Sequence, residues 1–129
     1  MKSAIVLIAH GARDPDWSVP FRAIQRKVAA RLPHMTVELA FLEIGKPALH
    51  ETLDKLAGTG HTRVTVAPMF MAQGGHLKRD IPRLLEELRS RHPDVDLRLL
   101  PPAGEVNAVL DAITDWVVNT VDKIPNQNA

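Results

Sequence analysis

A chain of 129 residues, 45% hydrophobic and 24% charged, has the size and balance of one globular domain. Sixteen Lys and Arg against fifteen Asp and Glu leave a formal charge of +1, so no overall field favours nucleic acid or an anionic membrane. The absence of cysteine excludes disulfides, thiolate zinc sites and all-cysteine iron–sulfur clusters, and no apolar run approaches the roughly 18 residues of a membrane span.

The apolar run that opens the chain is short for a secretory signal and is followed at once by His10, Gly11, Arg13 and Asp14, so the expectation is a soluble cytoplasmic protein. Ser3 to Ala9 is continuous and rich in β-branched residues, which predicts a strand buried on both faces, as in parallel sheets. After Asp14, Pro15 and Asp16, the positions Phe21, Ile24, Val28 and Leu32 recur at helical spacing until Pro33. Thr36 to Leu42 predicts a second strand, followed by a helix with Leu49, Leu53 and Leu56 on one face and Gly58 or Gly60 at its end.

Arg63 to Ala67 predicts the third strand, with Pro68 at its tip and a flexible stretch, Met71 to Gly75, beyond it. A helix then turns Ile81, Leu84, Leu85 and Leu88 to the core, its first turn obscured by Pro82. Asp96 to Leu100 predicts strand four. The last helix runs from about Glu105 to Val121 with Val109, Ile113 and Trp116 inward, and 124–129 reads as a frayed tail.

Strands alternating with helices through short loops predict a single α/β domain over 1–129, its ordered core about 2–121. Its doubly wound, parallel four-stranded sheet, in the order 2-1-3-4, has helices on both faces. Ligands of such folds sit outside the carboxyl ends of the strands, at the switch beside strand one. His10 follows strand one, Glu43 follows strand two, and His76 lies in the loop after strand three. Taken singly, each has an ordinary explanation as a turn or surface residue. Together they form a borderline N and O donor set suited to cobalt, nickel, iron or zinc, with coordination positions left open for exchange. His34, His50, His61 and His92 fall away from this edge and receive no role, and without GxGxxG or GxxxxGK nucleotide binding has little support.

These residues fall in motifs. His10-Gly11-Ala12-Arg13-Asp14-Pro15, Ala40-Phe41-Leu42-Glu43, Pro68-Met69-Phe70, Gly74-Gly75-His76 and Asp80-Ile81-Pro82 follow in order, and with them the chain resembles the short CbiX type of sirohydrochlorin cobaltochelatase, a class II chelatase. The resemblance implies insertion of Co2+ into sirohydrochlorin in cobalamin biosynthesis. His10 and His76 would bind the metal, Glu43 would assist as ligand or base, and Met69, Phe70, Met71, Ala72, Gln73, Gly74 and Gly75 would line the tetrapyrrole pocket. Ala12 stands where the family often has Ser. A divalent metal is then a substrate, Fe2+ and Ni2+ being the alternatives to Co2+, and no organic cofactor is implied. A non-catalytic metal or tetrapyrrole carrier is the reading from a different class. Arg13, Lys46, Lys78 and Arg79 are candidates for the carboxylates of sirohydrochlorin, Arg13 foremost because its fork pairs bidentately. Because longer relatives carry two such halves, the resemblance also implies a homodimer.

Overall fold

Eight consecutive residues, Lys2–Ala9, form β1, and their apolar side chains alternate between two hydrophobic clusters on opposite faces of the sheet. The computed structural model describes residues 2–125, apart from the side chain of His76. β1 pairs in parallel with β2 (Thr36–Phe41) on one side and β3 (His61–Pro68) on the other, and β3 pairs with β4 (Asp96–Leu99). The order is 2-1-3-4, as the alternation of elements predicts. The register sets Ala9 opposite Phe41 and Ile8 opposite Pro68, so the first three strands end at one level. The residues that follow their tips therefore share one edge.

The larger core packs Ala4, Val6 and Ile8 of β1 with Val64 and Val66 of β3 against two helices, α2 (Leu49–Gly58) and α3 (Gly75–Arg91). Leu49, Leu53 and Leu56 come from α2, and Ile81, Leu85 and Leu88 from α3, all buried as their spacing predicts. Each such side chain stabilises the fold by about 1.5–3 kcal/mol through its burial. On the other face Leu7, Ala9, Leu39, Phe41 and Ala67 form a smaller cluster, with Phe21 of α1 (Val19–Arg31) packed on it.

Ile24 and Leu32 of the first helical pattern are 39% and 40% exposed, because α1 lies over β2 and leaves part of the apolar stripe uncovered. Two sequence expectations are corrected. The last helix, α4 (Asn107–Asp122), does not turn Val109, Ile113 and Trp116 into the core: Val109 is half-buried, Ile113 is 38% exposed and Trp116 is 68% exposed. Its contacts are chiefly with the short 3-10 turn Ala103–Glu105 that precedes it, so its stripe has no sheet beneath it. Finally, His76 stands not in a loop but in the first turn of α3, which begins at Gly75 with Gly74 as its cap. Pro82 is tolerated inside α3 because it lies on the exposed side, where water can take up the carbonyl its missing N–H leaves free. Of the expected tail, 126–129 lie outside the described residues.

Candidate active site

Beyond the tip of β1 the chain is stitched to the chain beyond β2. The N–H of Leu42 donates to the Ala9 carbonyl at 3.0 Å, and the N–H groups of Glu43 and Ile44 both donate to the His10 carbonyl, at 3.1 and 3.2 Å. Gly11 permits this approach. Its φ of +95° suits glycine, and a Cβ there would lie 1.5 Å from the Ile44 oxygen. His10 and Glu43, 33 positions apart in sequence, are thereby neighbours at the sheet edge.

The chain beyond β3 joins them. Met69 N–H donates to the Ile8 carbonyl at 2.8 Å, which carries the strand ladder one residue past the tip. Phe70 then turns inward. It is 3% exposed and belongs to the larger core, and its ring packs against the half-buried His10 imidazole with centroids 4.5 Å apart and planes tilted by 38°. The resemblance implies a place for Phe70 in the lining of the tetrapyrrole pocket, whereas its ring is buried in the core against His10. Of its neighbours, Met69 and Gln73 are half-buried, and Met71, Ala72, Gly74 and Gly75 are exposed, Met71 by 57%.

Between the Glu43 loop and α3 lies a cavity of about 180 Å³ lined by Leu42, Glu43, Leu77, Asp80, Ile81 and Leu84. Two residues that bear carboxylates, Glu43 and Asp80, therefore line one space whose other walls are apolar. In the sequence Asp80 stands out only as part of the Asp80-Ile81-Pro82 motif. Its separation of four residues from His76 on α3 puts both on one helix face, a signal that could have singled it out. The side chain of His76 lies outside the described residues, and among those described no group of three or more His, Asp or Glu is arranged to hold an ion.

The basic candidates surround this edge. Arg13, Lys46, Lys78 and Arg79 are all exposed. Lys46 bonds Glu51 at 3.0 Å; that contact first, then the Ala48 N–H, holds the Glu51 carboxyl below its ordinary value of 4.5. An ion pair so exposed contributes little to stability, so Lys46 can change partners at small cost.

Of the remaining histidines, His61 and His92 have structural roles. His61 is buried, with Nε2 2.9 Å from the Thr36 hydroxyl and Nδ1 3.1 Å from both the Leu56 carbonyl and the Thr59 hydroxyl. His92 Nε2 lies 2.6 Å from Asp54, which Arg91 also bonds at 2.8 Å. His34 and His50 are exposed.

Comparison with known proteins gives a consistent picture. The CbiX family model matches residues 4–120. A curated relative, the sirohydrochlorin cobaltochelatase of Saccharolobus islandicus (strain Y.G.57.14 / Yellowstone #1), is 30% identical over 127 residues, covering 92% of this chain and 96% of its own. Among solved structures, a CbiX protein of cobalamin (vitamin B12) biosynthesis from Marinobacter aquaeolei VT8 superposes with a TM-score of 0.83 at 30% identity, covering 95% of this chain and 99% of its own. The sirohydrochlorin chelatase SirB from Bacillus subtilis subspecies spizizenii, solved in complex with cobalt, superposes with a TM-score of 0.77 at 25% identity. That match spans 92% of this chain but only 51% of the Bacillus one.

Proposed function

This chain belongs to the CbiX family, and from that premise we propose that it is a sirohydrochlorin cobaltochelatase, inserting Co2+ into the macrocycle at the edge where β1, β2 and β3 end. The observation that carries the reading is the pair of bonds from the Glu43 and Ile44 N–H groups to the His10 carbonyl, which tie the backbone of Glu43 to that of His10 where the strands end.

Insertion requires the ion to lose water, the ring to lose two pyrrole protons and the two to meet. Neutral imidazoles of His10 and His76 replace water on the ion, and Glu43 completes a partial set that leaves positions free for ring nitrogens. Protonated imidazole cannot ligate, so acid suppresses the reaction. As the ion passes to the ring nitrogens, the imidazole nitrogen of His10 that it vacates takes up one pyrrole proton, and the second goes to the Glu43 carboxylate or to solvent water. Met69, Met71 and the segment to Gly75 cover the ring face, while Arg13 and the freely re-pairing Lys46 meet its carboxylates. Holding ion and ring in one cleft makes the encounter intramolecular.

The working unit in this reading is a homodimer. An exposed stripe on α4, including Leu110, Ile113, Trp116, Val117 and Val121, supports it, as does the half-length match to the Bacillus chelatase. No helix among the described residues is long and apolar enough to cross a membrane, and the enzyme is read as cytoplasmic, acting on small molecules alone.

The test follows the absorption spectrum of sirohydrochlorin with Co2+ and a small amount of protein, repeated with Fe2+ and Ni2+. Product in excess of protein is expected, fastest with Co2+. A single stoichiometric change, with no acceleration beyond it, would make the protein a carrier. His10→Ala should lose about 100-fold or more in rate while melting within a few degrees of wild type, because a residue at a cleft mouth contributes little to the core.

A further inference from the structure

The catalytic imidazole rests on a buried ring, and that ring is itself held by a segment remote in sequence. After β4 the chain passes Pro101 and Pro102 into the turn Ala103–Glu105, which comes down on the loop beyond β3. The Gly104 N–H donates to the Phe70 carbonyl at 2.9 Å. A Cβ at position 104 would lie 1.5 Å from the Met71 oxygen and 2.3 Å from the carbon of the same carbonyl. Gly104 is not among the glycines of positive φ, so space alone demands glycine there. The partner groups are backbone and belong to a loop packed on the core, so they cannot yield as a long side chain would.

We propose that Gly104 and Phe70 are positioning residues for His10: the turn before α4 clamps the Phe70 backbone, and the clamped ring fixes the orientation of the His10 imidazole. Phe70 does not touch the tetrapyrrole in this assignment, since it is buried on the core side of His10. The imidazole is half-buried, and Phe70 is the one aromatic ring recorded against it among the described residues. A ligand imidazole must present one nitrogen along a fixed direction, so a ring held from one side is poised for the incoming ion rather than searching for it. The orientation of His10 thus depends on a residue 94 positions away that bears no reactive group.

The proposal rests on His10 being the metal-binding residue, but its test has a readout that does not. A histidine ring packed at a tilt against Phe70 has the signals of its carbon-bound protons shifted by the aromatic ring current, and NMR of histidine-labelled protein resolves them, with His10→Gln supplying the assignment. In Gly104→Ala the His10 signals should move to the range of the exposed His34 and His50. The rate constant kcat for Co2+ insertion should fall about tenfold or more, with KM for the ion changed much less. Phe70→Leu keeps the backbone bond and removes the ring, and it should reproduce both effects even if Gly104→Ala fails to fold. Unmoved His10 signals in Phe70→Leu, or moved signals with wild-type kcat, would overturn the assignment. Wild-type protein with no insertion activity would overturn the functional reading instead, and the NMR comparison would still decide whether the clamp holds His10.

Discussion

Replacing Gly11 by Ala sets a methyl carbon where the Ile44 carbonyl already stands. The new atom would lie 1.5 Å from that oxygen at a φ of +95°, so the two loops must part by at least 1.5 Å to reach a bearable 3.0 Å. The bonds at 3.1 and 3.2 Å from Glu43 and Ile44 to the His10 carbonyl do not survive that separation. Left-handed strain of about 1–2 kcal/mol, with two hydrogen bonds at about 1 kcal/mol each, gives a loss of about 3–4 kcal/mol. At about 4 °C per kcal/mol for a domain of this size, Tm falls by about 12–16 °C. The rate suffers more, because displacing a reacting group by about 1 Å costs about 100-fold, and Glu43 is displaced from His10 by at least that much. Thermal melts and spectral insertion assays, run at a temperature where the variant is folded, read the two effects separately. A Gly11→Ala protein that melts within 2–3 °C of wild type and keeps its rate would refute the stitched-loop reasoning.

Asp54 gives a pH prediction of defined sign. Its carboxyl is held below the ordinary 3.8, first by the hydrogen bond from His92 and then, against the opposing effect of burial, by Arg91. A depressed folded value stabilises the protein fully above the unfolded value and loses that contribution as pH falls through the folded one. Asp54→Asn should therefore be less stable than wild type at neutral pH and converge on it below about pH 4; melts whose difference stays constant into acid would contradict this. The side chain is 36% exposed, so the neutral difference is expected to be about 1 kcal/mol or less. On α4, Trp116→Glu places a charge in the exposed stripe and should convert a dimer to a monomer in light scattering at equal concentration. An unchanged mass would remove α4 from the interface.

Much of this was legible in the sequence for a physical reason. Runs such as Ser3 to Ala9 are apolar on both faces and short, so they specify strands of a covered parallel sheet, and the connections leave few topologies. Once the strands were located, His10 and Glu43 fell at their tips without further assumption. What stayed hidden depends on contacts that periodicity does not encode. The stripe on α4 is visible in sequence, but what it faces is not, so helical spacing alone turns Trp116 inward where the fold leaves it exposed. Phe70 sits among residues of a rim-like loop and yet folds under His10. Gly74-Gly75 in sequence suggests a flexible turn and so a loop position for His76, whereas the two glycines cap and begin α3. Gly104 carried no signal at all, since its requirement arises from Met71, 33 residues earlier in the chain.

The most direct measurement is anomalous diffraction at the cobalt edge from crystals grown with Co2+. The expected result is one strong peak at about 2.0–2.2 Å from an imidazole nitrogen of His10 and of His76, with a Glu43 oxygen beside it and open positions toward the loop from Met69 to Gly75. Cobalt bound elsewhere on the protein, with the His10 and Glu43 side chains free of metal at saturating Co2+, would contradict the assignment of this edge as the chelatase site.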